Sequence, residues 1–265
     1  MFAWNFDPAI LIGLALQAGA YLACVGPLRA RFPESEPVSP VRVQTFLLGS
    51  LVLFIALCSP IETLGDGYLL SAHMIQHMLM TLIAPPLLLI GTPRWLFKPL
   101  LRVPLALPVG RLLTHPLFAL ASYNLVFSLW HVPAYYEATL RSTPIHIVEH
   151  IMFFGTAVLT WWPIFSPLDE LPRLPDPAQC LYLFVESLPP TILGALITFA
   201  GLLYPTYARA PRVWGISPEL DQQAAGLLMW IPGSLVFLTV LTIVFFRWFN
   251  ENDYEPSYDA RRAAP

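Results

Sequence analysis

Two pairs of histidines, His73 with His77 and His146 with His150, each stand four residues apart in this 265-residue chain, and a fifth, His131, closes an apolar stretch between them. Side chains at that spacing stack on one face of a helix, so each pair can aim two imidazoles into a common space. Glu149 follows His146 by three residues, close enough to join that face or to orient a ring. Imidazole nitrogens ligate zinc, copper, iron and nickel, and a thioether or thiolate nearby tilts the preference toward copper. Met74 and Met78 flank the first pair, and Cys58 ends an apolar run ahead of it. The candidate metal ligands are therefore His73, His77, His131, His146 and His150, with Glu149, Met74, Met78 and Cys58 as additional ligands or supports. Copper is one cofactor this set suits. Heme is the other, held by axial histidines from two helices. The bland alternative for the histidines is a structural polar network between helices, and for the methionines it is gap filling in an apolar core. His115, beside Pro116, stands apart and reads as a core residue bonded to a neighbouring carbonyl.

These residues can act together only if the chain folds them to one depth. Apolar residues make up 56% of the sequence and charged residues 12%, with a mean hydropathy of +0.62. A soluble domain carries about 25% charged residues, so an ordinary globule is excluded. Twenty-eight prolines do not signal disorder, because hydrophobicity is high and the net charge only -3. The 14 basic residues cluster nowhere beyond Arg261-Arg262, which excludes a nucleic-acid partner and leaves membrane lipid as the surrounding medium. Cys24, Cys58 and Cys180 are odd in number and far apart, which argues against a disulfide framework.

A helix needs about 20 mostly apolar residues to cross the hydrocarbon core. Seven stretches qualify, at roughly 9–26, 43–60, 69–91, 113–132, 144–165, 179–203 and 223–248. The fold class expected is all-α, a single polytopic domain of seven transmembrane helices. The N-terminus lacks the basic segment of a secretory leader and reads as a retained first span. Pro85-Pro86, Pro189-Pro190 and Pro232 predict breaks in the third, sixth and seventh spans. The Pro-rich stretches 31–40 and 167–177 read as stiff loops, and Trp4, Trp95, Trp161, Trp162, Trp214 and Trp248 as an aromatic belt.

Arg29, Arg31, Arg42, Arg94, Lys98, Arg102, Arg111, Arg173, Arg247, Arg261 and Arg262 fall on one side of these spans; Arg141, Arg209 and Arg212 fall on the other. The excess predicts an outside N-terminus and a cytoplasmic C-terminus. That topology brings five of the six histidines into the outer half of the membrane and leaves His115 at the cytoplasmic side. Polar groups at membrane depth are costly and are functional by default. Glu186, in the sixth span, is a separate carboxylate with two readings, a helix-to-helix hydrogen bond or a proton or ion role.

The stretch Leu70-Ser-Ala-His73-Met-Ile-Gln-His77-Met-Leu79, followed by Ala84-Pro85-Pro86 and Gly91-Thr92-Pro93, resembles the signature of the CtaG-type cytochrome c oxidase assembly factors, the polytopic kind found with caa-type oxidases. Trp130-His131-Val132-Pro133 with Tyr136, His146 with Glu149-His150, Trp161-Trp162-Pro163, and Asp221-Gln222-Gln223 leading to Met229-Trp230 and Pro232-Gly233 extend the similarity through the seventh span. The Cys-x-Cys motif of an unrelated single-span copper protein that shares the name is absent. The resemblance implies a bacterial plasma-membrane protein, not an enzyme, needed to mature a heme-copper oxidase. Its expected partners are the oxidase subunits or a copper donor protein. The histidine cluster would then hold copper in transit toward the oxidase. A heme-binding redox protein or a metal transporter would use the same histidines differently.

Overall fold

The structure is a computed structural model that describes residues 2–32 and 34–253; Arg261 and Arg262, counted above toward the cytoplasmic charge, lie outside the described residues. In chain order, α1 (Pro8–Val25) and α2 (Pro40–Cys58) lead into a short α3 (Pro60–Gly67). Then α4 (Leu70–Met78), a π-helical turn (Leu79–Ile83) and α5 (Ala84–Gly91) continue as one apolar segment. Two short helices, α6 (Arg94–Leu101) and α7 (Ala106–Leu113), precede α8 (Pro116–Trp130) and α9 (Pro133–Arg141). The long α10 (Thr143–Phe165) and α11 (Asp176–Phe199) follow, and α12 (Pro205–Arg209) leads to α13 (Pro218–Asp253). Six of these segments are each long and apolar enough to cross a membrane, and α7 with α8, bent by 65°, gives a seventh when counted as one crossing. The protein is therefore an all-α, multi-pass membrane protein.

At two of the three proline positions the helix stays continuous. The sixth span runs unbroken through Pro189 and Pro190, and the seventh through Pro232. Close packing between these two helices makes that possible. A Cβ placed on Gly194 would sit 2.7 Å from the Gly226 oxygen, and Thr191 and Ser234 pair their hydroxyls at 2.6 Å across the contact. Small residues that let backbones approach are the usual device for joining helices in lipid, where no hydrophobic force draws them together.

The third span does respond to its prolines. Neither Pro85 nor Pro86 has an N–H to offer the Thr81 carbonyl, and the helix widens into its π turn just ahead of them. The Trp161 indole N–H from α10 donates to that carbonyl at 2.9 Å. This also corrects the aromatic belt. Trp95, Trp161 and Trp162 are buried, and Trp162 donates to the Leu171 carbonyl at 3.1 Å to hold the loop after α10. The N–H groups of Trp161 and Trp162 satisfy backbone inside the protein instead of facing headgroups.

Glu186 is buried where α8, α10 and α11 meet. Its carboxylate accepts from Asn124 Nδ2 at 2.9 Å and Thr160 Oγ1 at 2.8 Å, and Tyr182 shares the Thr160 hydroxyl at 2.8 Å. These are the helix-to-helix hydrogen bonds of the first reading.

Candidate metal centre

The i, i+4 spacing places His73 and His77 on one face of α4 and His146 and His150 on one face of α10, and the two helices meet in register. Ring centroids are 4.2 Å apart within the first pair and 4.1 Å within the second. Across the helices His73 faces His146 at 5.7 Å and His77 faces His150 at 5.5 Å. Glu149 reaches both pairs. One ligand atom from each of His73, His77 and Glu149 lies within 4.8 Å of the others, and the same holds for His146, Glu149 and His150. A third group adds a residue the sequence reading missed: Asp66, with His73 and His146. Two ligands bound at about 2.1 Å to one ion lie no more than about 4.2 Å apart, so each group needs only a small closure to grip a metal.

The polar atoms here are buried and unsatisfied. His73 and Glu149 are 0% exposed. Both ring nitrogens of His73 and of His77, both oxygens of Glu149, and Nε2 of His146 and His150 have no hydrogen-bond partner. The Thr139 hydroxyl beside Glu149 donates to the Tyr136 carbonyl at 2.7 Å. An unsatisfied buried polar group costs about 1–3 kcal/mol, and native interiors rarely tolerate several side by side.

The remaining candidates lie around this core. His131 caps the end of α8, where its Nδ1 sits 2.6 Å from the Phe127 carbonyl, so Nδ1 carries the proton and Nε2 is the free lone pair. It belongs to none of the three donor groups; the Phe153 ring lies against both, 6.1 Å from His131 and 4.6 Å from His77. His131 and His77 do share a cavity of about 30 Å³, lined also by Met74, Met78 and Met229. Cys58 is buried at the end of α2 and lies outside all three groups. His115 stands at the opposite end of α8, far from the cluster in depth; it is exposed and makes no side-chain cap, so it is not the core residue expected from the sequence.

Several contacts fix α4 in place. Leu69 provides no side-chain cap for α4, and Asp221 of α13 supplies one: its carboxylate accepts from Leu70 N at 2.7 Å, Ser71 N at 3.1 Å and Ser71 Oγ at 2.5 Å. Gly65 lets α3 lie against His73, since a Cβ there would come within 3.0 Å of His73 Cα and 3.1 Å of its nitrogen. Tyr136 covers His73 with ring centroids 5.2 Å apart, and its hydroxyl pairs with that of Tyr207 at 3.1 Å. Tyr207 in turn donates to the Gly65 carbonyl at 2.5 Å, and Tyr204 donates to the His131 carbonyl at 2.9 Å. Gln222 holds the loop after α11, accepting from Leu203 N at 2.8 Å and donating to the Gly201 carbonyl at 2.9 Å. Gln76, between the two histidines of α4, donates to Glu62 of α3. Burial, reinforced by the Asp66 charge and opposed by the Gln76 hydrogen bond, pushes the Glu62 carboxyl up to about 8.

Asp66 could not be singled out from sequence. It is a lone acid between two glycines in a connection between spans, and only the turn back of α3 onto α4 brings it to the histidines.

Comparison with known proteins places these residues in context. The family model for the cytochrome c oxidase caa3 assembly factor matches residues 19–251, which include every candidate ligand. An uncharacterized protein of Mycobacterium bovis and another of Mycobacterium tuberculosis are each 26% identical over 98% of this chain and 41% of their own length. One from Mycobacterium leprae is 23% identical over 94% of this chain and 40% of its own. The chain thus spans about two fifths of the curated relatives it matches. No solved structure matches it.

Proposed function

The chain belongs to the family of cytochrome c oxidase caa3 assembly factors, and from that premise we propose that it serves oxidase maturation by carrying copper on His73, His77, His146, His150 and Glu149. His131 with Met74 and Met78 lines the cavity beside His77, next to the ion so held. The observation that carries this reading is the set of orphaned atoms, both nitrogens of His73 and His77 and both oxygens of Glu149. A cation bound among them converts a buried cost into a set of ligand bonds.

Imidazole donors with thioethers lining the adjoining cavity favour copper over zinc or a hard cation. Four rings in mutual contact around a carboxylate suit a bare ion better than a porphyrin, whose axial imidazoles must stand apart on either side of an open slot. The basic residues at the opposite end of the bundle, among them Arg94, Lys98 and Arg247 in ion pairs with Asp169, Glu34 and Asp176, support a histidine end facing the extracytoplasmic side. From there the ion would pass to an oxidase subunit, or arrive from a copper donor protein, by ligand exchange.

The test is elemental analysis and an absorption spectrum on one detergent-purified sample. Copper without a Soret band is expected, lost in the double variant His73→Ala, His77→Ala while protein level is kept. A Soret band, or absence of any metal from protein that remains folded, overturns the copper reading.

A further inference from the structure

The three donor groups are graded in exposure, and the most exposed opens into a cleft. Asp66, His146 and the fully buried His73 form the outermost group, with side-chain exposures of 42% for Asp66 and 11% for His146. His146 Nε2 has no hydrogen-bond partner and lies 3.7 Å from Asp66 Oδ1. His146, His150 and Asp66 line a cleft of about 720 Å³ between α1, α3, α9 and α10, whose walls also carry Asp7, Glu62 and Arg141. The other charges are already committed. Asp7 caps α1 by accepting from Ala9 N at 2.7 Å, Arg141 pairs with Glu137 at 3.0 Å, and Glu62 accepts from Gln76. Among the described residues, the recorded ion-pair partner of Asp66 is His146 alone.

Resting on the copper reading above, we propose that this cleft is the port by which copper reaches the buried histidines, and that Asp66 with His146 and His73 is its first stop. The outer group shares His73 with the deep group of His73, His77 and Glu149, and shares His146 with the group of His146, Glu149 and His150. An ion moving inward therefore pivots on a ligand it already holds and is never released bare into the apolar interior. A carboxylate is the fitting donor at the mouth, where the ion still sheds water, and imidazoles take over as it goes dry. The Asp66 carboxylate, whose ion-pair partner is His146, also draws a cation toward the mouth.

Rapid-mixing uptake separates this port from the site it feeds. Detergent-purified full chain is mixed with Cu(I) buffered by bicinchoninate, and the loss of chelate colour gives rate and final stoichiometry. Asp66→Asn is expected to load about tenfold more slowly than wild type and with weaker salt dependence, and Asp66→Glu to recover most of the rate. Gly13→Phe plugs the cleft from α1, where a Cβ on Gly13 meets nothing within 4 Å, and should slow loading without touching a donor. Wild-type rates in both Asp66→Asn and Gly13→Phe, with copper still bound, overturn the port and leave the site standing. Absence of copper uptake by wild type overturns both.

Discussion

Gly65→Ala tests whether the α3 to α4 contact sets the position of His73. The new methyl would lie 3.0 Å from His73 Cα, 3.1 Å from its nitrogen and 3.2 Å from its Cβ. Carbon pairs rest at about 3.5–4.0 Å, so α4 must retreat by about 0.5 Å at His73. Two of the three opposing atoms are backbone, so no rotamer change relieves the clash. Metal–ligand distances tolerate only about 0.2 Å, and His73 belongs to two of the three donor groups. Misplacing it should weaken copper binding by about 10- to 100-fold, the usual cost of disturbing what supports a ligand. Overpacking should also lower stability by about 1–3 kcal/mol. Gly67→Ala is the control, since a Cβ there meets nothing within 4 Å. Affinity is measured by chelator competition with Cu(I) on both variants in detergent. Wild-type affinity in Gly65→Ala would refute the claim that this contact positions the ligand.

Other substitutions probe the supports one at a time. Asp221→Ala removes the cap on α4 and should cost about 1–2 kcal/mol in thermal unfolding, with Asp221→Asn recovering part of it; no loss in either would remove Asp221 from the account of why α4 begins where it does. Trp161→Phe keeps an aromatic ring against Phe237, stacked at 5.2 Å in the native protein, but strips the donor from the Thr81 carbonyl, and about 1–3 kcal/mol of destabilisation is expected. Glu62 gives a pH signature. Its carboxyl titrates at about 8 in the fold against an ordinary 4.5, so the folded state holds the proton more tightly than the unfolded chain. The stabilisation is complete below the ordinary value and is lost as pH rises through about 8. The wild-type Tm should fall over that window and the Glu62→Gln Tm should stay flat; parallel curves would show that another group carries the dependence.

Depth was legible in the sequence and direction around the helix axis was not. Hydropathy located the six long apolar segments and the bent α7–α8 pair that makes a seventh when counted as one crossing, and the i, i+4 spacing showed that each histidine pair shares a face. Those two facts put His131 at the same depth as the pairs, yet depth alone could not reveal that it falls outside the three donor groups. Cys58 shows the same limit: it ends its helix near the expected level but outside the donor groups. The tryptophans misled for a different reason. Their position near span ends fits an interfacial belt, and only the carbonyl orphaned by Pro85 explains why Trp161 is instead buried. Proline pairs likewise mark where a carbonyl loses its partner, and tertiary contacts decide whether the helix widens, as before Pro85, or runs on, as at Pro189.

The division of the ligands bears on what the centre does with an ion. A structural metal site closes four donors around one point and holds it. Here Asp66, His73, His77, His146, Glu149 and His150 fall into three overlapping threes, so an ion in any one group leaves other donors free nearby. Spare ligands at short range lower the cost of leaving, because each bond broken is replaced before the next is lost. Glu149 sits in two of the three groups with no hydrogen-bond partner at either oxygen, so ionising it in that interior is costly until a cation arrives. Glu149→Gln should therefore keep the imidazoles and the fold while copper is held more weakly. Replacing a single imidazole, as in His150→Ala, should cost less, because His150 belongs to only one group. Equal losses in the two variants, read by the same chelator competition, would mean that the donors form one closed cage and that the argument for transit from overlapping groups is wrong.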